Sequence, residues 1–353
     1  MSTMTFKCPC CGGYLEFDPS LQKFKCLYCG QVLSEEELRE QSEQREAEAQ
    51  TTAAAEEKPA AAGEHLRSYH CQMCGAEIVT DDTTAATRCY FCHSPVVLQD
   101  RLEDEFRPDG VIPFQLDKAA AEKQFMAYIR RKRFVDRDFF NASQLEMFSG
   151  VYYPWWYTDV EGTAEFEGEG HRSTAAATPS HIVTTTRVYK VNREGLLSFR
   201  SIARKALTKA DGKLSDGIHP YDMSGIKPYA SGFLSGFLAE KRDISEAAAQ
   251  QESIREAEDC ASTLMKRNHT YNTLSGETRF HPDKVKSRYV LLPAWVLTYQ
   301  GGKDGVPYYY MMNGQTGEVC GKLPIDKKRV LAAALGIGLA VFLLLCGGGA
   351  FIW

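Results

Sequence analysis

Four Cys-x-x-Cys pairs fall before residue 93, and they come in two matched doubles. Cys8 and Cys11 are followed after fourteen residues by Cys26 and Cys29; Cys71 and Cys74 are followed after fourteen residues by Cys89 and Cys92. A tetrahedral metal ion takes four soft ligands with Zn–S near 2.3 Å; one Cys-x-x-Cys turn supplies two thiolates and a hairpin brings up the other two. Gly12, Gly30 and Gly75 each follow a ligand directly, where glycine permits the tight turn that aims backbone N–H groups at sulfur. Modules of about thirty residues bury too little apolar surface to fold alone, so bound metal must supply the folding energy. We therefore expect two structural Zn2+ ions, one on Cys8, Cys11, Cys26 and Cys29 and the other on Cys71, Cys74, Cys89 and Cys92. Four thiolates could also hold iron. With four ligands each, neither site keeps an open position for water, which argues against catalysis at the metal. Cys10 is read as a spectator, and His70 and His93 as residues outside the ligand sets.

The N-terminus, MSTMTFKCPC, lacks the apolar stretch of a secretory signal, so reduced thiols and metal ligation are expected rather than disulfides. The opposite end is apolar: Val330 to Trp353 is twenty-four residues without a charge, preceded by Asp326-Lys327-Lys328-Arg329. That length spans a hydrocarbon core of roughly 30 Å as a helix, and the basic flank places the bulk of the chain on the cytoplasmic side of the inner (plasma) membrane. Ala332, Gly336 and Ala340 form a small-residue face that could support a homo-oligomer.

Between these ends the chain divides into a first ribbon (1–33), an acidic helical spacer (34–64), a second ribbon (65–107), an α+β domain (108–326) and the basic flank with its transmembrane helix (327–353). Ser34 with Glu37 is a capping-box pattern that should open the spacer. Helices are expected over Asp117–Arg133 and Ile244–Arg267. Strands are expected over Gly150–Phe166, His181–Phe199 (broken by a turn at Asn192–Gly195), Val285–Tyr299, Val306–Met312 and Glu318–Leu323, with turns at Gly301-Gly302 and Asn313-Gly314. A Pro-x-Trp signature occurs twice, in Tyr152-Tyr153-Pro154-Trp155-Trp156 and Leu291-Leu292-Pro293-Ala294-Trp295, and suggests a duplicated strand unit. The aromatic run Tyr152–Tyr157 and Tyr308-Tyr309-Tyr310 are read as core, and Cys260 and Cys320 as buried small apolar residues rather than nucleophiles.

No phosphate-cradling glycine loop, Gly-x-Ser-x-Gly elbow or His-Glu-x-x-His is present, and the remaining histidines are scattered. These absences point away from an enzyme. Net charge is −5; the first ribbon carries +1, and residues 66–107 carry four basic against seven acidic side chains, a net of −3. Phosphate-dominated affinity needs clustered cations, so the ribbons do not read as nucleic-acid binders.

Several motifs resemble those of bacterial TFIIB-type zinc-ribbon membrane proteins, often labelled PriA-helicase-like: Cys71-Gln-Met-Cys-Gly with Cys89-Tyr-Phe-Cys-His-Ser, Pro108 to Phe114, Gly150 to Trp155, Tyr289 to Trp295, and Asn313 to Gly317 with Gly321 to Pro324. The resemblance implies a non-enzymatic membrane adaptor that recruits protein partners, of SPFH-like or phage-shock type, in membrane stress. A nucleic-acid-binding ribbon protein and a membrane-associated enzyme are the alternatives. No helicase motor motif accompanies the ribbons.

Overall fold

A computed structural model describes residues 3–4, 6–38, 66–74, 77–81, 83–89, 94–98, 101–102, 106–132, 134–135, 148–177, 181–208, 212–299, 308–321 and 326–349. Its strands are β1 (Thr3–Met4), β2 (Leu15–Asp18), β3 (Lys23–Cys26), β4 (Val32–Leu33), β5 (Leu66–His70), β6 (Glu77–Asp81), β7 (Thr84–Arg88), β8 (Pro95–Leu98), β9 (Gly110–Val111), β10 (Ser149–Ala177), β11 (Ile182–Lys205), β12 (Lys227–Pro228), β13 (Leu238–Glu240), β14 (Thr273–Tyr299), β15 (Tyr308–Asn313) and β16 (Val319–Gly321). Helices α1 (Lys118–Arg131), α2 (Gly212–Asp216), α3 (Glu246–Met265) and α4 (Lys327–Gly349) complete a mixed α+β fold. One sheet runs β1-β8-β7-β13-β10-β14-β15-β16, with β11 on β10 and β9 between β14 and β12; β2-β3-β4 and β5-β6 form two small sheets.

The long strands exceed their expected lengths. β10 has 29 residues, about 95 Å of chain at about 3.3 Å per residue. It pairs antiparallel with β14 along Ser149–His171 and with β11 along Trp155–Ala177. The expected turn at Asn192–Gly195 is absent: Asn192, Arg193, Glu194 and Gly195 face Glu167, Phe166, Glu165 and Ala164 in one unbroken ladder. Two forces override the local turn preference. The ladder supplies backbone partners throughout, and Arg193 Nη1 donates to the carbonyls of Met265 and Arg267 at 2.8 and 2.7 Å, closing the C-terminal end of α3. Helix α3 covers one face of this blade with small residues four apart, Ala249, Ser253, Ala257 and Ala261, ending in Met265. Cys260 lies on the outer side of α3 and is exposed, contrary to expectation.

The Pro-x-Trp copies lie side by side, with Tyr152 opposite Pro293 and Pro154 opposite Leu291. Each proline marks a seam. Before Pro154, Val151 and Tyr152 pair in parallel with β13; after it, Trp155 onward pairs with β11. Before Pro293, Val290 and Leu291 pair in parallel with β9; after it, Ala294 onward pairs with β15. A residue without an N–H is tolerated where one neighbouring strand ends and the next begins. The carbonyls of Pro154 and Pro293 are both used, accepting from Ala206 N at 3.1 Å and Gly314 N at 2.8 Å.

The duplication reaches the helices. Trp156 and Trp295 donate their indole N–H to the carbonyls of Ile244 and Leu116 at 3.0 and 3.1 Å. Each acceptor immediately precedes a helix N-cap: Ser245 caps α3 through Ala248 N, and Asp117 caps α1 through Ala120 N. The caps open Asp117-Lys-Ala-Ala-Ala and Ser245-Glu-Ala-Ala-Ala, a repeat visible in the sequence once the structure aligns it. Tyr152, Trp155, Trp156, Tyr157 and Tyr310 are buried, as expected of core residues, Tyr153 is partly buried, and the side chains of Tyr308 and Tyr309 lie outside the described residues.

Residues 35–38 are helical, opened by the capping box: Ser34 N donates to Glu37 Oε2 at 2.7 Å and Glu37 N to Ser34 Oγ at 3.3 Å. The rest of the spacer, the Gly301-Gly302 turn, Cys92, His93 and Gly75 lie outside the described residues. The turn at Asn313-Gly314 is present: Asn313 N donates to Glu318 O, and its side chain accepts from Gln315 and Thr316.

Helix α4 exposes Leu331, Leu335, Ile337, Leu339 and Phe342, each more than 60% accessible. Among the described residues no helix is long and apolar enough to cross a membrane; the side chains described for α4 end at Phe342, and residues 350–353 lie outside the described ones.

Candidate metal centre

The first set of thiols is assembled by the β2–β3 hairpin. An isolated bridge pairs Lys7 with Tyr14, and Leu15 faces Cys26 in register, so the Cys8–Cys11 turn and the Cys26–Cys29 turn leave the same end of the sheet. Gly12 and Gly30 adopt φ of 73° and 76°, the left-handed conformation expected of a glycine closing each turn. Gly12 N donates to Cys8 O and Gly30 N to Cys26 O, repeating one local geometry twice.

The sulfurs of Cys8 and Cys29 lie 3.6 Å apart and those of Cys11 and Cys26 3.5 Å apart. A disulfide would bring two sulfurs to about 2.05 Å. The edge of a tetrahedron with 2.3 Å metal–sulfur bonds is about 3.8 Å. All four sulfurs lie within 4.8 Å of one another, so the set could hold a metal ion. Cys8 and Cys26 are buried while Cys11 and Cys29 reach the surface; Cys10 is exposed and outside the set.

The thiols shift one another. Burial raises the Cys8 pKa, but backbone N–H groups of Cys10 and Cys11 and the thiols of Cys29 and Cys26 outweigh it and bring it down to about 7. At Cys29 the Gln31 N–H favours the thiolate but is overcome by the Cys11, Cys8 and Cys26 thiols and by burial, raising it to about 12. Charge accumulates on four adjacent sulfurs only against rising resistance, and a divalent cation removes that resistance.

In the second set, Cys71, Cys74 and Cys89 come together, with Cys74 and Cys89 sulfurs 3.7 Å apart, and could likewise hold a metal ion. The local geometry matches the first: Cys89 N donates to Ser94 O at 2.9 Å as Cys26 N donates to Gln31 O at 2.8 Å, each acceptor five residues on. Ser94 is almost fully buried, and its hydroxyl lies 3.4 Å from the Cys71 sulfur. Cysteine spacing alone gave no reason to single out Ser94; its position directly after the second knuckle is the signal available.

Neither metal module stands apart from the α+β fold. In the first, Phe17 and Phe24 pack edge-on or tilted against Phe233, Phe17 N donates to Ser235 O, and Gln22 Nε2 donates to Phe114 O. In the second, the strands flanking Cys89 belong to the main sheet: β7 pairs with β13 through Ala86 and Ala239, and β8 pairs with β1. The sheet thus runs across the boundary expected at residue 107. Arg88 joins the two, donating to Glu16 Oε1 at 2.9 Å and to Gly236 O at 2.8 Å.

Among the described residues the histidines are not gathered into a further metal centre. His219 is enclosed by Trp155, Tyr157 and Tyr221, and burial lowers its pKa against the pull of Asp216. His171 lies 3.8 Å from Glu169, and His269 Nδ1 contacts Tyr271 O.

No family model matches the chain, and no solved structure gives a significant match. The chain is similar to the uncharacterized protein YdjG of Bacillus subtilis (strain 168), 29% identical over 361 residues that cover 98% of this chain and 99% of the relative.

Proposed function

We propose that this protein is a membrane-anchored, cytoplasm-facing adaptor whose two zinc-stapled ribbons and α+β domain recruit protein partners. The observation that carries this reading is the closure of the first thiol set: four sulfurs converge at tetrahedral spacing, two of them buried, and their own backbone amides complete the surroundings. A centre with four protein ligands has no position for substrate or activated water, so its role is to hold the fold. Zinc is favoured over iron because four thiolates in a reducing compartment need no redox chemistry to explain them. The membrane tether is supported by the uncharged run Val330–Trp353 behind three basic residues, and by the exposed apolar side chains of α4. The resemblance to bacterial zinc-ribbon membrane proteins supports SPFH-like or phage-shock-type partners.

The test has two parts. Metal analysis of the purified chain should give two zinc ions, and membrane fractionation followed by affinity capture should recover a stoichiometric protein partner that is lost on Cys71→Ser. Recovery in the soluble fraction, or capture of no partner from membranes, would overturn the adaptor reading.

A further inference from the structure

Strand β11 pairs with β10 on one side, and among the described residues no strand pairs with its other edge. The edge is long and regular: the register with β10 is unbroken from Ile182 to Phe199, and the bulge comes only beyond it. Such an edge presents a row of backbone donors and acceptors, and proteins that keep one open normally shorten it, bulge it or guard it. This one carries exposed apolar side chains beside its charged ones. On the face away from α3, Val188 is 56% accessible and Leu196 is 84% accessible, the highest value among the exposed large hydrophobic residues. Between them stand Lys190, Asn192 and Glu194. Glu194 faces Glu165 on β10, which stands opposite Arg279 of β14 on its other side, so a cation on the open edge would continue the alternation of charge.

These residues are complementary to themselves when the strand is reversed. With a two-fold axis at Asn192, antiparallel pairing of β11 with a second copy sets Lys190 opposite Glu194, Val188 opposite Leu196 and Thr186 opposite Ser198, each pair occurring twice. Asn192 meets its own counterpart, whose side-chain amide can both donate and accept. On the other face Tyr189 falls opposite Gly195, an aromatic beside a glycine, and Arg187 opposite Leu197. Side-chain alternation restricts the choice to registers two residues apart. The neighbouring register on one side puts Val188 opposite Glu194; that on the other puts Arg193 opposite itself. Only the axis at Asn192 joins apolar to apolar and acid to base.

We propose that the protein forms an isologous dimer by antiparallel pairing of β11 with β11 of a second copy, centred on Asn192. The two blades then form one continuous sheet, and the exposed Val188 and Leu196 cover each other.

The test uses the full chain in detergent with Cys10, Cys260, Cys320 and Cys346 replaced by serine and its zinc content verified. Asn192→Cys should give a covalent dimer under mild oxidation, because the axis brings the residue within disulfide reach of its counterpart. Val188→Cys and Leu196→Cys should each stay monomeric alone, since like positions are about 26 Å apart at eight residues' separation, but should cross-link when mixed. Lys190→Glu should weaken the dimer about tenfold, having two symmetric effects, and adding Glu194→Lys should restore it. A zinc-loaded Asn192→Cys chain that stays monomeric would overturn the proposal. So would a Val188→Cys chain that cross-links by itself as readily, or a dimer unaffected by Lys190→Glu.

Discussion

Tyr152 stands opposite Pro293 at the centre of the sheet, where the two Pro-x-Trp segments cross. Around this crossing each half of the α+β region supplies a short parallel strand, a capped helix, and a long strand whose tryptophan binds the carbonyl preceding the other half's helix. Trp156 of β10 reaches Ile244 ahead of α3, and Trp295 of β14 reaches Leu116 ahead of α1. The halves therefore lock each other.

Equivalent roles imply similar costs. Trp295→Phe and Trp156→Phe each remove an indole donor from a buried site and leave a helix-entry carbonyl unpaired. We expect each to destabilise the protein by about 1–3 kcal/mol, measured by denaturant unfolding. A large loss at one site with none at the other would contradict the equivalence.

The proposed zinc sites divide the thiols into ligands and bystanders. Cys26 is fully buried within the first set, and Cys26→Ser should abolish metal binding there, lowering zinc content from two ions to one per chain. Because bound zinc contributes on the order of 10 kcal/mol to folding such modules, the β2–β3 hairpin should become protease-sensitive. Cys10→Ser, at an exposed position outside the set, should leave zinc content unchanged.

Arg88 bridges the metal modules through Glu16 and the Gly236 carbonyl. Its side chain is 42% accessible, so the ion pair is partly screened. Arg88→Ala should cost about 1 kcal/mol and show as earlier proteolysis between the ribbons, with zinc content unaltered.

His219 provides a pH test. Burial among aromatic rings lowers its pKa below the ordinary value of 6.5, so the unfolded chain binds its proton more readily than the folded one. The stability held by the neutral ring is complete above about 6.5 and is lost as pH falls from there toward the depressed folded value. Thermal unfolding between about pH 8 and 5 should show a smaller acid-side loss in His219→Phe than in the wild-type chain. Matching pH profiles would show that this ring contributes nothing to the acid sensitivity.

The legible parts of the chain share one property: they are local. Cys-x-x-Cys with a following glycine and Ser34 with Glu37 each act within a turn, so spacing alone identifies them, whereas the caps at Asp117 and Ser245 are recognised only from the structure. The strand at Asn192–Gly195 is hidden from such a reading for the opposite reason. Those residues favour a turn in isolation, and only the ladder to Ala164–Glu167 and the hold of Arg193 on the end of α3 make them extended. Tyr152, Trp155, Trp156, Tyr157 and Tyr310 are legible as core because burying so much apolar surface leaves few other options.

By itself the sequence determined which atoms can bind metal, where helices begin and which segment is apolar enough to suggest a membrane anchor. The tertiary structure decided that the ribbons are docked rather than strung out, that the two Pro-x-Trp segments face each other, and that among the described residues β11 keeps an open edge. Those are pairings between residues tens to hundreds of positions apart, and no periodicity within one segment carries information about which distant strand will satisfy its backbone.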